Sequence, residues 1–502
     1  MRKILICLCA IVGYSSYAQV KKVSGKVFED LNRNGLYDKG EPLLKDVVIS
    51  NGQDLVLTNK KGEYEVSTLE DTQVFVIKPK GFQSALTVEN KVCFYMPYQD
   101  LKNKTNHDFP LYQTDESSPL KAVLLGDLQS DVLDDIHHVE KLVVSELVNT
   151  PPDLIFPLGD LVFDRLEIFD PLSKSLGLIG SPIYYVVGNH DLNFGKDKAV
   201  KDRDISYKEA FGPSYYALEY GEELIIVLNN ILPVNDKEYI GKIDEVQKQF
   251  LKNVLAHYQD THDKVKVMMH IPIEFMEDKE EFIDLFSAYK QVFVGVGHTH
   301  TQYHKYFDRI DNQAIHQLVA GAVCGAWWQG PHDIEGIPFA MMYDGTWKGY
   351  WTLQTAGQYY HLSYKVSGRS EQKQIQVWAP EVKEWDKSLE HLNDGYVYAN
   401  VFAGDRDTDV QISYDKGATW QKMEYYEGVD PQYTRLIELQ KQGRFKNMNI
   451  SNAVDAKRAS KHLWRLCIPS GLAEEPQVIK VKAIDPRYGL NHVENRVLWT
   501  PK

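Results

Sequence analysis

Basic runs are absent from this 502-residue chain, whose formal net charge is -14. That absence argues against a nucleic-acid polymer as partner, since such partners are held by clustered lysine and arginine on phosphate. Cysteine is scarce, five residues in all. Cys7 and Cys9 fall in a leader, which leaves Cys93, Cys324 and Cys467. Their number is odd and their spacing matches no zinc ribbon, so they read as buried structural thiols. Internal repeats and low-complexity tracts are missing. Long apolar stretches are missing too, except near the start. There Arg2 and Lys3 precede the apolar residues 4–12, and Ser16-Tyr-Ala18 ends in a small-x-small pattern. This reads as a signal peptide over residues 1–18, cut before Gln19. Neither Ile6-Cys7 nor Leu8-Cys9 offers the small residue that a lipobox requires. The expectation is an exported protein, periplasmic or extracellular. No later stretch is long and apolar enough to be a transmembrane segment.

What is present is globular in texture, 43% apolar and 25% charged, at a length that suits about three domains. Residues 19–115 read as an N-terminal β-sandwich, with strand character at 23–28, 46–50 and 73–77 and turns at Gly62 and Gly81. Residues 120–354 read as an α/β core. Apolar strands at 122–125, 154–158, 183–187, 224–228, 265–269 and 292–296 alternate there with helical patterns. Ile136, Val139, Val143 and Leu147 share one helical face, as do Val246, Phe250 and Val254. Residues 356–502 read as a C-terminal β-sandwich, with a helical or loop insertion at 433–442.

Five polar blocks punctuate the α/β segment. They are Gly126-Asp-Leu-Gln129, Gly159-Asp-Leu-Val-Phe-Asp164, Gly188-Asn-His-Asp191, His270 alone, and Gly297-His-Thr-His300. Each follows an apolar run, so each is expected just past the carboxyl end of a strand, where the sites of α/β folds gather. Carboxylate, amide and imidazole together are the donors that hold divalent transition metals. Two neighbouring cations repel and require a bridging anion, for which Asp160 is placed. Asp127, Gln129 and His300 then complete one shell, and Asn189, His270 and His298 the other. The glycines before Asp127, Asp160, Asn189 and His298 read as permitting sharp turns at the strand ends.

In order and residue type, these blocks resemble those of the calcineurin-like metallophosphoesterases, whose usual pattern is D-x-H, G-D-x-x-D, G-N-H-[DE], H and G-H-x-H. The resemblance spans roughly half the chain. It is with the subgroup that carries β domains on both sides. It implies a four-layer αββα core and two divalent transition metals (Mn, Fe, Zn or Mg) held by Asp127, Gln129, Asp160, Asn189, His270, His298 and His300. Two departures stand out. Gln129 occupies a usual histidine position and shifts that metal's preference toward Mn²⁺ or Mg²⁺, since an amide oxygen is a harder donor than imidazole. The second block is one residue longer than usual. The partner of His190, the expected catalytic acid, is therefore Asp164 or, in competition, Asp191.

The expected activity is hydrolysis of a small-molecule phosphoester, mono- or diester, by a water acidified between the metals. The alternative is a non-catalytic surface protein in which a decayed esterase core recognises glycan or cell wall. Trp327 and Trp328, in a glycine-rich stretch, are candidate substrate-binding residues able to stack on a base or sugar. Asp30, Asn32, Asn34, Leu36, Asp38 and Glu41 fit the calcium-loop pattern D-x-[DN]-x-[DN]-G-x₅-E, in a strand-flanked setting that suggests a structural Ca²⁺. His137 and His138 read as surface residues of a helix. His304 and His316 are near the blocks in sequence only.

Overall fold

The structure is a computed structural model. It describes residues 21–498, apart from 71, 117–118, 196–198, 380–386, 446–454, 471 and 473–475. The leader at 1–18 lies outside the described residues.

Two sheets form the central unit. One has the order Tyr359–Val366, Gly349–Ala356, Lys121–Leu125, Leu154–Pro157. The other has the order Tyr216–Tyr220, Glu223–Val227, Lys264–Met268, Gln291–Val296, Asn312–Ala320, Gln302–Arg309. Strand alternation explains the layering. Ala122, Leu124, Leu154 and Phe156 share one apolar cluster with Leu224, Ile226, Val265 and Val267 of the facing sheet. Their neighbours Val123, Leu125 and Ile155 belong to a second cluster, with Ile136, Val139, Leu172 and Leu176 of the covering helices. A side-chain period of two therefore gives one sheet both a sheet-facing and a helix-facing surface. Helix Glu245–Tyr258 buries Phe250, Leu251 and Val254 in the first cluster. Val246, expected on that face, is 39% exposed.

A parallel bridge joins Ile183 to Lys91, but residues 183–187 meet residues 155–158 only through isolated parallel bridges, Ile155 with Ile183 and Leu158 with Val186. The cause is Pro157. Ile155 N donates to Pro182 O (3.0 Å), Tyr184 N to Ile155 O (2.9 Å) and Val186 N to Pro157 O (3.0 Å). The return bond from residue 157 cannot form because proline lacks an N–H.

Two small β units flank this core. The N-terminal one has sheets ordered Glu63–Ser67, Lys22–Glu29, Phe109–Gln113, Phe82–Ser84 and Leu55–Leu57, Val48–Ser50, Phe75–Val76. The C-terminal one pairs Ile375–Trp378, Tyr396–Val401, Leu463–Cys467, Glu424–Tyr425 with Gln421–Lys422, Asp409–Ser413, Gln477–Asp485, Leu490–Leu498. The insertion is a helix, Pro431–Lys441, whose first turn is capped by Asp430. The expected boundary near 356 falls inside a hairpin. Gly349–Ala356 pairs with Tyr359–Val366 across Gly357 (φ 59°), so the central unit continues to Val366. Of the three remaining cysteines, only Cys324 is buried; Cys93 and Cys467 are exposed.

Candidate metal centre

All five blocks leave the carboxyl ends of their segments and converge. The turns that bring them together are made by the ligand candidates themselves. Asp127 (φ 33°), Gln129 (45°), Asp160 (49°), His298 (77°) and His300 (51°) all take left-handed backbone, as do Asp164 (65°) and Trp327 (57°). Such non-glycine conformations cost energy and cluster at functional sites. The preceding glycines serve a different purpose from the one expected, since only Gly159 has positive φ. The others allow close approach. A Cβ on Gly188 would stand 1.8 Å from Asp160 N, one on Gly297 2.4 Å from Asp127 Oδ2, and one on Gly126 2.1 Å from Gly321 O.

One half of the cluster is Asn189, His270 and His298. Asn189 Oδ1 lies 3.1 Å from His270 Nε2 and 2.9 Å from His298 Nδ1, and those two nitrogens are 3.3 Å apart. His270 donates from Nδ1 to Leu158 O (2.8 Å), which turns Nε2 toward the site. The other half is Asp127, Gln129 and His300. His300 donates from Nδ1 to Gly325 O (2.7 Å), and its Nε2 lies 3.6 Å from Asp127 Oδ1. Asp160 faces both halves, with Oδ2 3.2 Å from His270 Nε2 and 2.9 Å from Gln129 Nε2. Asp160, His270 and His298 by themselves offer three converging donor atoms.

The electrostatics fit a cationic occupant. Burial pushes Asp127 well above the usual carboxylate range, and Asp160 adds to the effect. For Asp160, burial is outweighed by His270 and the other imidazoles, which hold it below its ordinary value. For His270, burial is outweighed by Asp160 and then Asp127, which draw it up to about 9. Burial and the neighbouring imidazoles depress His298 to about 3, and burial depresses His300 to about 4. Gln129 Oε1 is buried and has no hydrogen-bond partner. An orphaned oxygen and two opposed imidazole nitrogens are donors that lack an acceptor of electron pairs, which divalent cations supply.

His190 stands beside this cluster. Its Nδ1 is 2.8 Å from Asp164 Oδ1, and its backbone N donates to Asp160 Oδ1 (2.9 Å). The extra residue of the second block thus does not stop Asp164 from reaching the imidazole. Burial lowers the His190 pKa, but the Asp164 hydrogen bond and the charge of Asp160 reverse that and leave it raised. Asp191, the competing partner, is engaged elsewhere. It accepts Leu161 N (2.9 Å), Val162 N (3.2 Å) and Gly188 N (2.8 Å), and burial pushes its carboxyl up to about 7.

Aromatic rings border the site. Phe163 packs on His190 with centroids 4.7 Å apart, and Trp327 lies 5.3 Å from Phe163 and 5.8 Å from His300. Trp328 does not share this position. It is 8% exposed, packs in the helix-side cluster, and donates Nε1 to Leu128 O (3.0 Å), so it supports the wall from behind. His138, expected on the surface, packs against it with ring centroids 5.3 Å apart. Sequence reasoning missed Tyr239, edge-on to His298, and Tyr343, stacked on His300. It also missed Asn230, whose Oδ1 accepts His270 N and Ile271 N. A polar Asn229-Asn230 pair at the end of an apolar strand was the available signal.

The acidic loop carries an internal hydrogen-bond network. Asp30 accepts Asn34 N and Gly35 N, Glu41 accepts Leu31 N and Asp38 N, and Asp38 accepts the side-chain amides of Asn32 and Asn34. Those bonds close the Asp30–Glu41 turn, and Leu36 enters them through its N–H, bonded to Asn34 Oδ1 (2.7 Å). His304 and His316 are 2.9 Å apart, and His304 stacks on Tyr488 of the C-terminal unit, away from the metal ligands.

Three family models match in succession: the N terminal of calcineurin-like phosphoesterase at 31–114, calcineurin-like phosphoesterase at 120–302, and the C terminal of calcineurin-like phosphoesterase at 317–490. Among solved structures, a dimetal phosphatase from Danio rerio is similar at 15% identity. That likeness covers 50% of this chain and 97% of the other, with a TM-score of 0.35. No curated protein matches.

Proposed function

Because the chain belongs to the calcineurin-like phosphoesterase family and is a metal-dependent phosphoesterase, we propose that it hydrolyses a small phosphodiester or phosphomonoester at two divalent cations, with His190 as the acid. Asp127, Gln129 and His300 would hold one cation, Asn189, His270 and His298 the other, and Asp160 both. When bound, the cations supply Lewis-acid charge to the phosphoryl oxygens and make water a stronger nucleophile.

The observation that carries the reading is the His190–Asp164 pair, 2.8 Å apart, beside the ligand set. With Nδ1 committed to Asp164, Nε2 is left to protonate the departing oxygen. The bond from His190 N to Asp160 Oδ1 ties the acid's position to a ligand. Trp327 and Phe163, tilted 54° to each other, offer an aromatic wall beside it, suited to a base or sugar on the leaving side. That wall, with Gln129, favours a diester or diphosphate. Export rests on the leader at residues 1–18 and is tested by sequencing the mature N-terminus, expected at Gln19.

Turnover of bis-p-nitrophenyl phosphate and p-nitrophenyl phosphate with Mn²⁺, before and after chelation, tests the activity. Chelation is expected to abolish it. His190→Ala is expected to keep its metal content and lose roughly a hundred- to ten-thousand-fold in kcat. Wild-type turnover by that variant would remove His190 from the role of acid.

A further inference from the structure

A cavity of about 550 Å³ opens where the N-terminal β unit meets the central unit. That volume is in the range of small-molecule sites. Much of its lining is apolar, from Phe75, Leu192, Tyr215, Ile231, Leu232 and Pro233. Two polar atoms of its lining residues are buried without a hydrogen-bond partner, Gln73 Oε1 and Arg203 Nε. Gln73 is 1% exposed and Arg203 4%. Buried polar atoms in native proteins are nearly always paired, so these two mark this wall of the cavity as incompletely satisfied.

The lining holds four carboxylates and four cationic side chains, but their pairing is uneven. Its carboxylates are all engaged: Glu70 by Lys201, Asp204 by Lys208 and Ser214, Asp244 as the cap of helix Glu245–Tyr258, and Glu245 by Lys248. Arg203 and Lys242 have no carboxylate within 4.0 Å among the described residues. Arg203 spends one N–H on Asn193 O (2.8 Å). Two cations over an apolar floor match a ligand with one anionic end and an apolar body.

The cavity is separate from the metal centre. Phe194 and Tyr239 stand between them, Phe194 5.9 Å from the Arg203 guanidinium and Tyr239 6.4 Å from His298, with 6.1 Å between their own centroids. We propose that this cavity is a second binding site, for a small amphipathic anion seated by Arg203 and Lys242 with its apolar body over Phe75, Ile231 and Leu232.

Calorimetric titration of the manganese-loaded full-length protein tests this, with octanoate as probe and octanol as the uncharged control. Octanoate is expected to bind once per chain and more tightly than octanol. Replacing both cations, Arg203→Gln with Lys242→Gln, is expected to weaken octanoate about ten-fold and leave octanol unchanged. Val246→Trp, at the cavity's exposed edge, is expected to block both ligands while p-nitrophenyl phosphate turnover persists. His190→Ala is expected to bind octanoate as the wild type does. Octanoate binding that survives both sets of cavity substitutions, or that falls with His190→Ala, overturns the proposal. So does failure of the wild type to bind octanoate at millimolar concentration.

Discussion

At the level of single residues, the hydrogen bond to Asp164 raises the pKa of the His190 imidazole, and the charge of Asp160 adds to the effect. Removing the Asp164 anion while keeping the shape of the side chain separates positioning from electrostatics. In Asp164→Asn the raised pKa of His190 is expected to fall, because the hydrogen bond to a carboxylate is its main support. A protonated acid is then lost at lower pH, so the alkaline limb of kcat/KM moves downward while metal content holds. A pH–rate profile of the variant beside the wild type decides this; an unmoved limb would mean that Asp164 only orients the ring. Much of this level was legible in the sequence. Seven ligand candidates, His190 and Asp164 lie in blocks recognisable by residue type and order. Trp328 was not, because adjacent tryptophans look alike in sequence, and which of them reaches solvent is decided by a backbone of positive φ at Trp327.

Among the elements, the loops at 159–164 and 188–191 are packed as one object. Asp191 takes N–H groups from both, and Gly188 admits Asp160 where a side chain would collide. Gly188→Ala is therefore expected to push the two loops apart, reducing metal content and activity sharply with little change in far-ultraviolet circular dichroism. Retention of full metal content in that variant would show that the approach can relax. The strand ends were readable from apolar runs, since burial on both faces imposes them. The reason for the glycines was not. Close approach is a relation between distant segments, and one chain position carries no mark of it. Nor was the hairpin that extends the core to Val366 evident, because its exposed strand alternates like those of the unit that follows.

Across the whole molecule, the C-terminal unit is fastened to the strand that follows the last block. Asp344 accepts Gln302 N (2.8 Å) and lies 3.2 Å from His462 Nε2, while His462 Nδ1 is 2.8 Å from Asn400 Oδ1. Both partners are almost wholly buried, at 1% and 0% exposed. Burial opposes ionisation of Asp344, yet His462 and backbone N–H groups hold its carboxyl below the usual range. The stability it contributes is thus present above the ordinary carboxylate pKa and lost as the pH falls through the lowered folded value. His462→Ala leaves the carboxylate buried without its partner and is expected to cost roughly 3 kcal/mol. Urea unfolding at pH 7 measures the loss, and turnover per folded molecule is expected to stay near wild type. An unchanged midpoint would show that water replaces the imidazole there.

Pro157 gives the molecule an unequal suspension. Four of the five blocks follow strands with continuous ladders, but residues 183–187 are roped to residues 155–158 only by alternate rungs, so the 188–191 loop leans on its bonds to the neighbouring loop. The acid-bearing loop is the cargo at the end of that rope. Warming or stripping the enzyme of cations should therefore free His190 before the sheets melt, so that catalysis fades while the fold is still intact.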